Sequence, residues 1–95
     1  MITVRRWEAS DRFERDFKSA PPEVRKAAVE AIKLLLQDPV PRVLRFHRLT
    51  GLPRPALWKI DVYANHSWQI TLELDGDKAI LKRMGTHKSI DRSPR

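Results

Sequence analysis

Between Leu57 and His87 the chain reads LWKIDVYANHSWQITLELDGDKAILKRMGTH, and apolar residues recur there at every second position. Trp58, Ile60 and Val62 alternate with Lys59, Asp61 and Tyr63. After a short break, Trp68, Ile70, Leu72 and Leu74 alternate with Gln69, Thr71 and Glu73. A period of two sends successive side chains to opposite sides of a strand, so both runs predict strands with one apolar and one polar face. Asn65-His66-Ser67 predicts the first turn and Asp75-Gly76 the second, because Gly and Asp tolerate the positive φ of tight hairpins. A third strand, Ala79 to Met84, runs into Gly85-Thr86-His87 and sets a histidine just beyond its end. The expected scaffold is an antiparallel meander, apolar behind and polar in front.

The preceding segments supply a cover for the apolar face. Ile2 to Trp7 alternates and reads as a first strand at an edge. Ser10 is placed as an N-cap, with Asp11 favouring the dipole of a helix whose Phe13 and Phe17 share one face with Ala20. Pro21-Pro22 closes that helix and opens the next, since proline suits a first helical turn. In PEVRKAAVEAIKLLLQD, residues Val24, Ala27, Ala28, Ala31, Leu34 and Leu35 form an apolar stripe, with Arg25, Lys26, Glu30 and Lys33 largely opposite. Packing on the sheet is the reading given to this stripe. Asp38-Pro39-Val40-Pro41 ends the helix, and Val43 to Leu49 reads as a further strand on which Arg45 and His47 share a face. The resulting expectation is an α+β domain of order β-α-α-β-β-β-β, two helices on one face of a four- to five-stranded, mainly antiparallel sheet. Residues 88–95 read as a polar, partly disordered tail.

Ninety-five residues support one domain with a single core. The absence of cysteine excludes disulfides and thiolate metal sites. No apolar run matches a signal peptide or spans a bilayer, which predicts a cytoplasmic protein without a membrane partner. Nineteen Lys and Arg against twelve Asp and Glu give a net charge of +7. So strong an excess on so small a domain points to a polyanionic partner, nucleic acid before acidic membrane.

No Gly-rich phosphate loop, G-x-S-x-G or H-E-x-x-H is present. Candidate chemistry rests on three histidines, His47, His66 and His87, and the cations near them. Two imidazoles can share the work of cleaving RNA, one removing the 2′-OH proton and the other protonating the departing 5′-oxygen. Arg or Lys stabilises charge on the phosphate. His47 stands beside Arg45, and His87 follows Lys82 and Arg83, so His47 and His87 form the candidate pair if their strands lie close. His66, in a turn, ranks last, as a solvated residue. The three lack ligand spacing for zinc. Lys59, Asp61, Gln69 and Thr71 line the polar face, for which a solvated sheet surface is the plain alternative. The parity of Trp58 and Trp68 assigns both to the core rather than to base stacking.

Taken in order, the Phe13…Phe17 helix, PPEVRKAAVEAIKLLLQDP, His47-Arg48-Leu49-Thr50-Gly51, Trp58-Lys59-Ile60 and Arg83-Met84-Gly85-Thr86-His87 resemble the RelE/ParE superfamily of bacterial toxin–antitoxin modules, over about Phe13 to His87. The resemblance implies a basic, microbial-ribonuclease-like domain that cuts mRNA in the ribosomal A site, needs no metal or other cofactor, and is restrained by a cognate antitoxin. It implies a general-acid position at His87. His47 corresponds to the histidine preceding the Leu-x-Gly element in the YafQ-like branch. Lys59 and Arg83 fall near phosphate-contacting cations, so the catalytic set expected is His47, His87 and Lys59, with Arg45, Arg48, Gln69, Lys82 and Arg83 toward RNA phosphates. Two departures stand out: Gln69 occupies the place of an arginine common in relatives, and Lys88 to Asp91 replace a terminal aromatic. Loss of such an arginine is worth ~3 kcal/mol of transition-state stabilisation, unless Arg45 or Lys59 substitutes. The same resemblance leaves two alternatives: a ParE-like inhibitor of DNA gyrase, and a catalytically weakened RNA-binding member of the fold.

Overall fold

The computed structural model describes residues 2–95. Five strands and three α-helices follow one another as β1 (Arg6–Ala9), α1 (Asp11–Ser19), α2 (Pro22–Leu35), β2 (His47–Arg48), β3 (Trp58–Asp61), β4 (Trp68–Asp75), β5 (Lys78–Thr86) and α3 (His87–Arg92). The strands lie in the order β1-β5-β4-β3-β2. Neighbours from β2 to β5 are antiparallel, whereas β1 pairs with β5 in parallel, which makes the sheet mixed. The β4–β5 hairpin turns through Gly76-Asp77 between the paired Asp75 and Lys78, with Gly76 at φ +60°, where glycine pays no steric penalty.

Local chemistry accounts for both long helices. Ser10 takes the amide of Phe13 on its side chain at 3.1 Å, satisfying one of the free donors of the first turn of α1. Pro22 opens α2 at a position where its missing N–H costs nothing. Phe13 and Phe17 stack with centroids 6.2 Å apart. The main core fills the space between these helices and one face of the sheet. It takes Phe13 from α1, Val24, Ala28, Ala31, Ile32 and Leu35 from α2, and Ile60, Ile70, Leu72, Ala79, Leu81 and Met84 from the strands. The alternation read from the sequence therefore holds through β3 and β4, and Trp58 and Trp68 pack against this core. In β5 a register shift opposite Thr71 and Leu72 reverses the parity, so that Ala79, Leu81 and Met84 face the core while Arg83 faces the polar side.

Three segments differ from the sequence reading. The first strand begins at Arg6, not Ile2; its ladder is bracketed by bonds from Arg5 N–H to Asp77 and from Ser10 N–H to Leu81, although Val4 is fully buried as its parity requires. The strand expected over Val43 to Leu49 shrinks to His47–Arg48. Pro41 starts a 3-10 turn over Arg42–Leu44 and Arg45 adopts a left-handed φ of 49°, which breaks the alternation. After Thr86 stands a helix that the sequence reading lacks: Thr86 caps α3 through Ser89 N–H, and Ile90 is buried at 1% exposure. Among the described residues no helix is long and apolar enough to cross a membrane.

Candidate active site on the polar face of the sheet

Strand register arranges the polar face in rows. His47 lies opposite Lys59, Lys59 opposite Thr71, and Thr71 opposite Arg83. One step along the strands, Asp61 faces Gln69 and Gln69 faces Gly85. This face is not the solvated surface that alternation alone suggests. Among the described residues, the five buried polar ones, Lys59, Asp61, Gln69, Thr71 and Arg83, all belong to these two rows. α3 and the residues after it cover Thr71 and Arg83, while Asp61 is enclosed by Arg45, His66 and Gln69. Arg83 binds Ser89 O and Ser93 O through Nη1 at 3.4 and 2.7 Å, and Thr71 donates to Pro94 O at 2.7 Å. Gly85 permits the approach: a Cβ there would sit 3.1 Å from Ser89 Oγ.

The cations expected to contact RNA divide into engaged and free. Arg83 is 5% exposed and also bound to Asp16 at 3.0 Å, so its guanidinium is committed to joining α1, β5 and α3. Lys82 pairs with Glu73 at 3.8 Å, and Arg45 reaches Asp61 at 3.5 Å. Gln69 is 1% exposed; its Nε2 donates to Asp61 at 3.3 Å, and its Oε1 has no protein partner among the described residues. It therefore underlies the face rather than presenting itself to a ligand. Arg48 is exposed and Lys59 is 8% exposed, and neither makes an ion pair among the described residues. The stem of Lys59 is covered while its ammonium, which has no carboxylate partner among the described residues, keeps contact with solvent and is open to an anion from outside.

The histidines are distributed differently from the expected pairing. His47 sits on edge strand β2, opposite Lys59, with its Nδ1 against the carbonyl of Arg45. His87 sits at the start of α3, where its Nδ1 meets Asp91 at 3.1 Å. Strands β3 and β4 separate β2 from β5, so His47 and His87 stand about 14 Å apart across the sheet before any offset along it. They do not meet as a pair. His66 lies in the loop before β4 with its side chain 41% exposed, and it has a partner that the sequence reading did not give it: at φ 63°, its Nδ1 lies 2.5 Å from Asp61 Oδ2. Sequence reasoning missed this contact because it joins a strand residue to a loop five positions on, outside any periodic pattern. Among the described residues no three His, Cys, Asp or Glu gather closely enough to hold a metal ion.

Neither protein-family models nor curated protein sequences match this chain. Solved structures do. YafQ from E. coli strain BL21(DE3) matches with a TM-score of 0.72 at 22% identity, over 88% of this chain and 94% of that one. A chain of the E. coli DinJ–YafQ toxin–antitoxin complex matches with a TM-score of 0.71 at 22% identity, over 92% of this chain and 98% of that one. The RelB–RelE antitoxin–toxin complex from Methanococcus jannaschii gives 0.66 at 24% identity, over 90% and 95%. The two helices packed on a five-stranded mixed sheet are thus the RelE-like toxin fold.

Proposed function

We propose that this protein is the toxin of a type II toxin–antitoxin module and acts as a ribosome-dependent mRNA endoribonuclease in the cytoplasm. The observation that carries the reading is Lys59, 8% exposed, without an ion-pair partner among the described residues, and directly opposite His47. Cross-strand neighbours stand close enough to hold one phosphate between them. Arg48, exposed on the same short strand, lies opposite Trp58 and so points away from the face that holds His47 and Lys59. The net charge of +7 supports an RNA partner, and the fold shared with RelE and YafQ supports the toxin assignment.

In this reading the 2′-OH of the residue before the cut loses its proton, and the 2′-oxygen attacks phosphorus. The bond from phosphorus to the 5′-oxygen breaks, and that oxygen is protonated by His87. The products are a 2′,3′-cyclic phosphate and a 5′-hydroxyl. Lys59 holds the phosphate oxygens, with His47 opposite it on the side away from His87. Neighbouring folds occur in complexes with the antitoxins DinJ and RelB, which supports a cognate antitoxin here. Positive charge makes an acidic partner fitting. Exposed Trp7 and Val29 rim an apolar groove between β1, α1 and α2 where such a partner buries its own apolar residues.

The test is 5′-end mapping of one defined mRNA in a bacterial translation extract, with the protein, with His87→Ala, and with ribosomes omitted. Cuts at codon positions that require both ribosomes and His87 are expected. Cuts without ribosomes would make the protein a free ribonuclease. Growth arrest without any cutting would remove the nuclease reading and direct attention to gyrase.

A further inference from the structure

Cleavage as described needs a base to complement His87, and register keeps His47 away from it. A different imidazole is near. The amide of His87 donates to the carbonyl of Ser67 at 3.2 Å, and Ser67 follows His66 in the chain. That single hydrogen bond holds the Cα atoms of His66 and His87 within about 11 Å of each other. The two residues also share an arrangement. His66 has Nδ1 against Asp61 and His87 has Nδ1 against Asp91, so in both rings Nε2 is left for a ligand. Both side chains are accessible, at 41% and 53%.

The His66 end is built more firmly than a surface histidine requires. Asp61 is fully buried and bound also by Arg45 at 3.5 Å and Gln69 at 3.3 Å, so the carboxylate cannot swing away from the ring. His66 is held in the left-handed region, at φ 63°, a conformation uncommon for residues other than glycine. Its amide donates to Tyr63 O at 2.9 Å, and Asn65 Oδ1 takes the amide of Ser67 at 3.0 Å, fixing the loop on both sides. A carboxylate on Nδ1 selects the tautomer with a lone pair on Nε2, the form that accepts a proton.

The geometry points to His66 as the general base that removes the 2′-OH proton, with His87 returning a proton to the 5′-oxygen from across the Ser67 junction. This assignment rests on the ribonuclease reading and replaces His47 as the base; His47 remains opposite Lys59, on the side away from His87. Asp61 sets the ring of His66, Asp91 that of His87, and the net result conserves one proton between the two imidazoles.

The test uses ribosomes programmed with a short synthetic mRNA, in one version natural and in the other carrying sulfur in place of the 5′-oxygen at the cut. A thiolate leaves without protonation, so the sulfur substrate needs the base but not the acid. His66→Asn suits the purpose, since asparagine accepts a left-handed φ and still donates to Asp61 while being unable to take a proton. Expected is a fall of about 10²-fold or more for His66→Asn on both substrates. His87→Gln falls similarly on the natural substrate and returns to within about tenfold of wild type on the sulfur one. An unchanged urea midpoint for His66→Asn assigns its loss to chemistry. Near-wild-type cutting by His66→Asn overturns the assignment while the ribonuclease reading stands, as does loss of sulfur-substrate cutting in His47→Asn alone. A wild type that cuts neither substrate overturns both.

Discussion

The two faces of the sheet are both covered, yet they are covered in opposite ways. Behind, α1 and α2 bring apolar side chains to Ile60, Ile70, Leu72, Leu81 and Met84, and burial itself is the driving force. In front, α3 and the residues beyond it bind Thr71 and Arg83, and Lys59, Asp61 and Gln69 are buried beside them on the same face. There, each buried polar group gains only what its partner returns after desolvation. Arg83 and Asp61 have full sets of partners; Lys59 has no ion pair and Gln69 Oε1 no donor among the described residues. The back face is organised to be stable. The front face retains unmet polar capacity in the place where the candidate chemistry lies.

That contrast can be broken deliberately. Leu72→Ala removes a fully buried side chain from the back and is expected to cost about 3 kcal/mol in urea unfolding, with cutting per folded molecule unchanged. Arg83→Met should cost slightly less, about 2–3 kcal/mol, because Asp16, 14% exposed, keeps Arg12 at 3.6 Å and the amide of Met84 at 3.0 Å when the guanidinium is gone. It should also release α3, which the loss of amide protection at Ile90 would report. Lys59→Met sharpens the comparison from the other side. Stability is expected to stay level or rise slightly, since no ion pair is lost, while cutting falls about 10²-fold. The smallest effect is expected for Gly85→Ala. Ser89 Oγ, tied to Arg83 at 3.2 Å, leaves a new methyl little room, and a loss of about 1 kcal/mol should appear in the thermal midpoint.

How much of this the sequence disclosed depended on periodicity. Alternation from Trp58 to Leu74 separated core from polar face in β3 and β4, the Asp75-Gly76 turn located the strand after it, and Ser10 and Pro22 marked two helix starts. The register shift that sends Arg83 to the polar face and Met84 to the core left no periodic signal. A stripe at helical spacing located α2 but included Ala27 and Leu34, which are only half-buried, and omitted Ile32, which is buried. Periodicity failed where elements were too short to show it. Six residues, His87–Arg92, carry one apolar side chain, and only Thr86 as a cap three residues before Ser89 signals the helix. It failed also at Arg45, where one left-handed residue ends the apparent strand. The candidate site was legible as a set of residue types. Its pairing was not, because His66 reaches Asp61 through a loop conformation that no spacing rule encodes.

The most direct test of the account pairs Lys59→Met with Leu72→Ala in one experiment: urea unfolding together with mRNA 5′-end mapping on ribosomes, expressed per folded molecule. The account predicts a stable but inactive Lys59→Met and a destabilised but active Leu72→Ala. Wild-type cutting by a folded Lys59→Met would contradict it, and would place the chemistry away from the polar face.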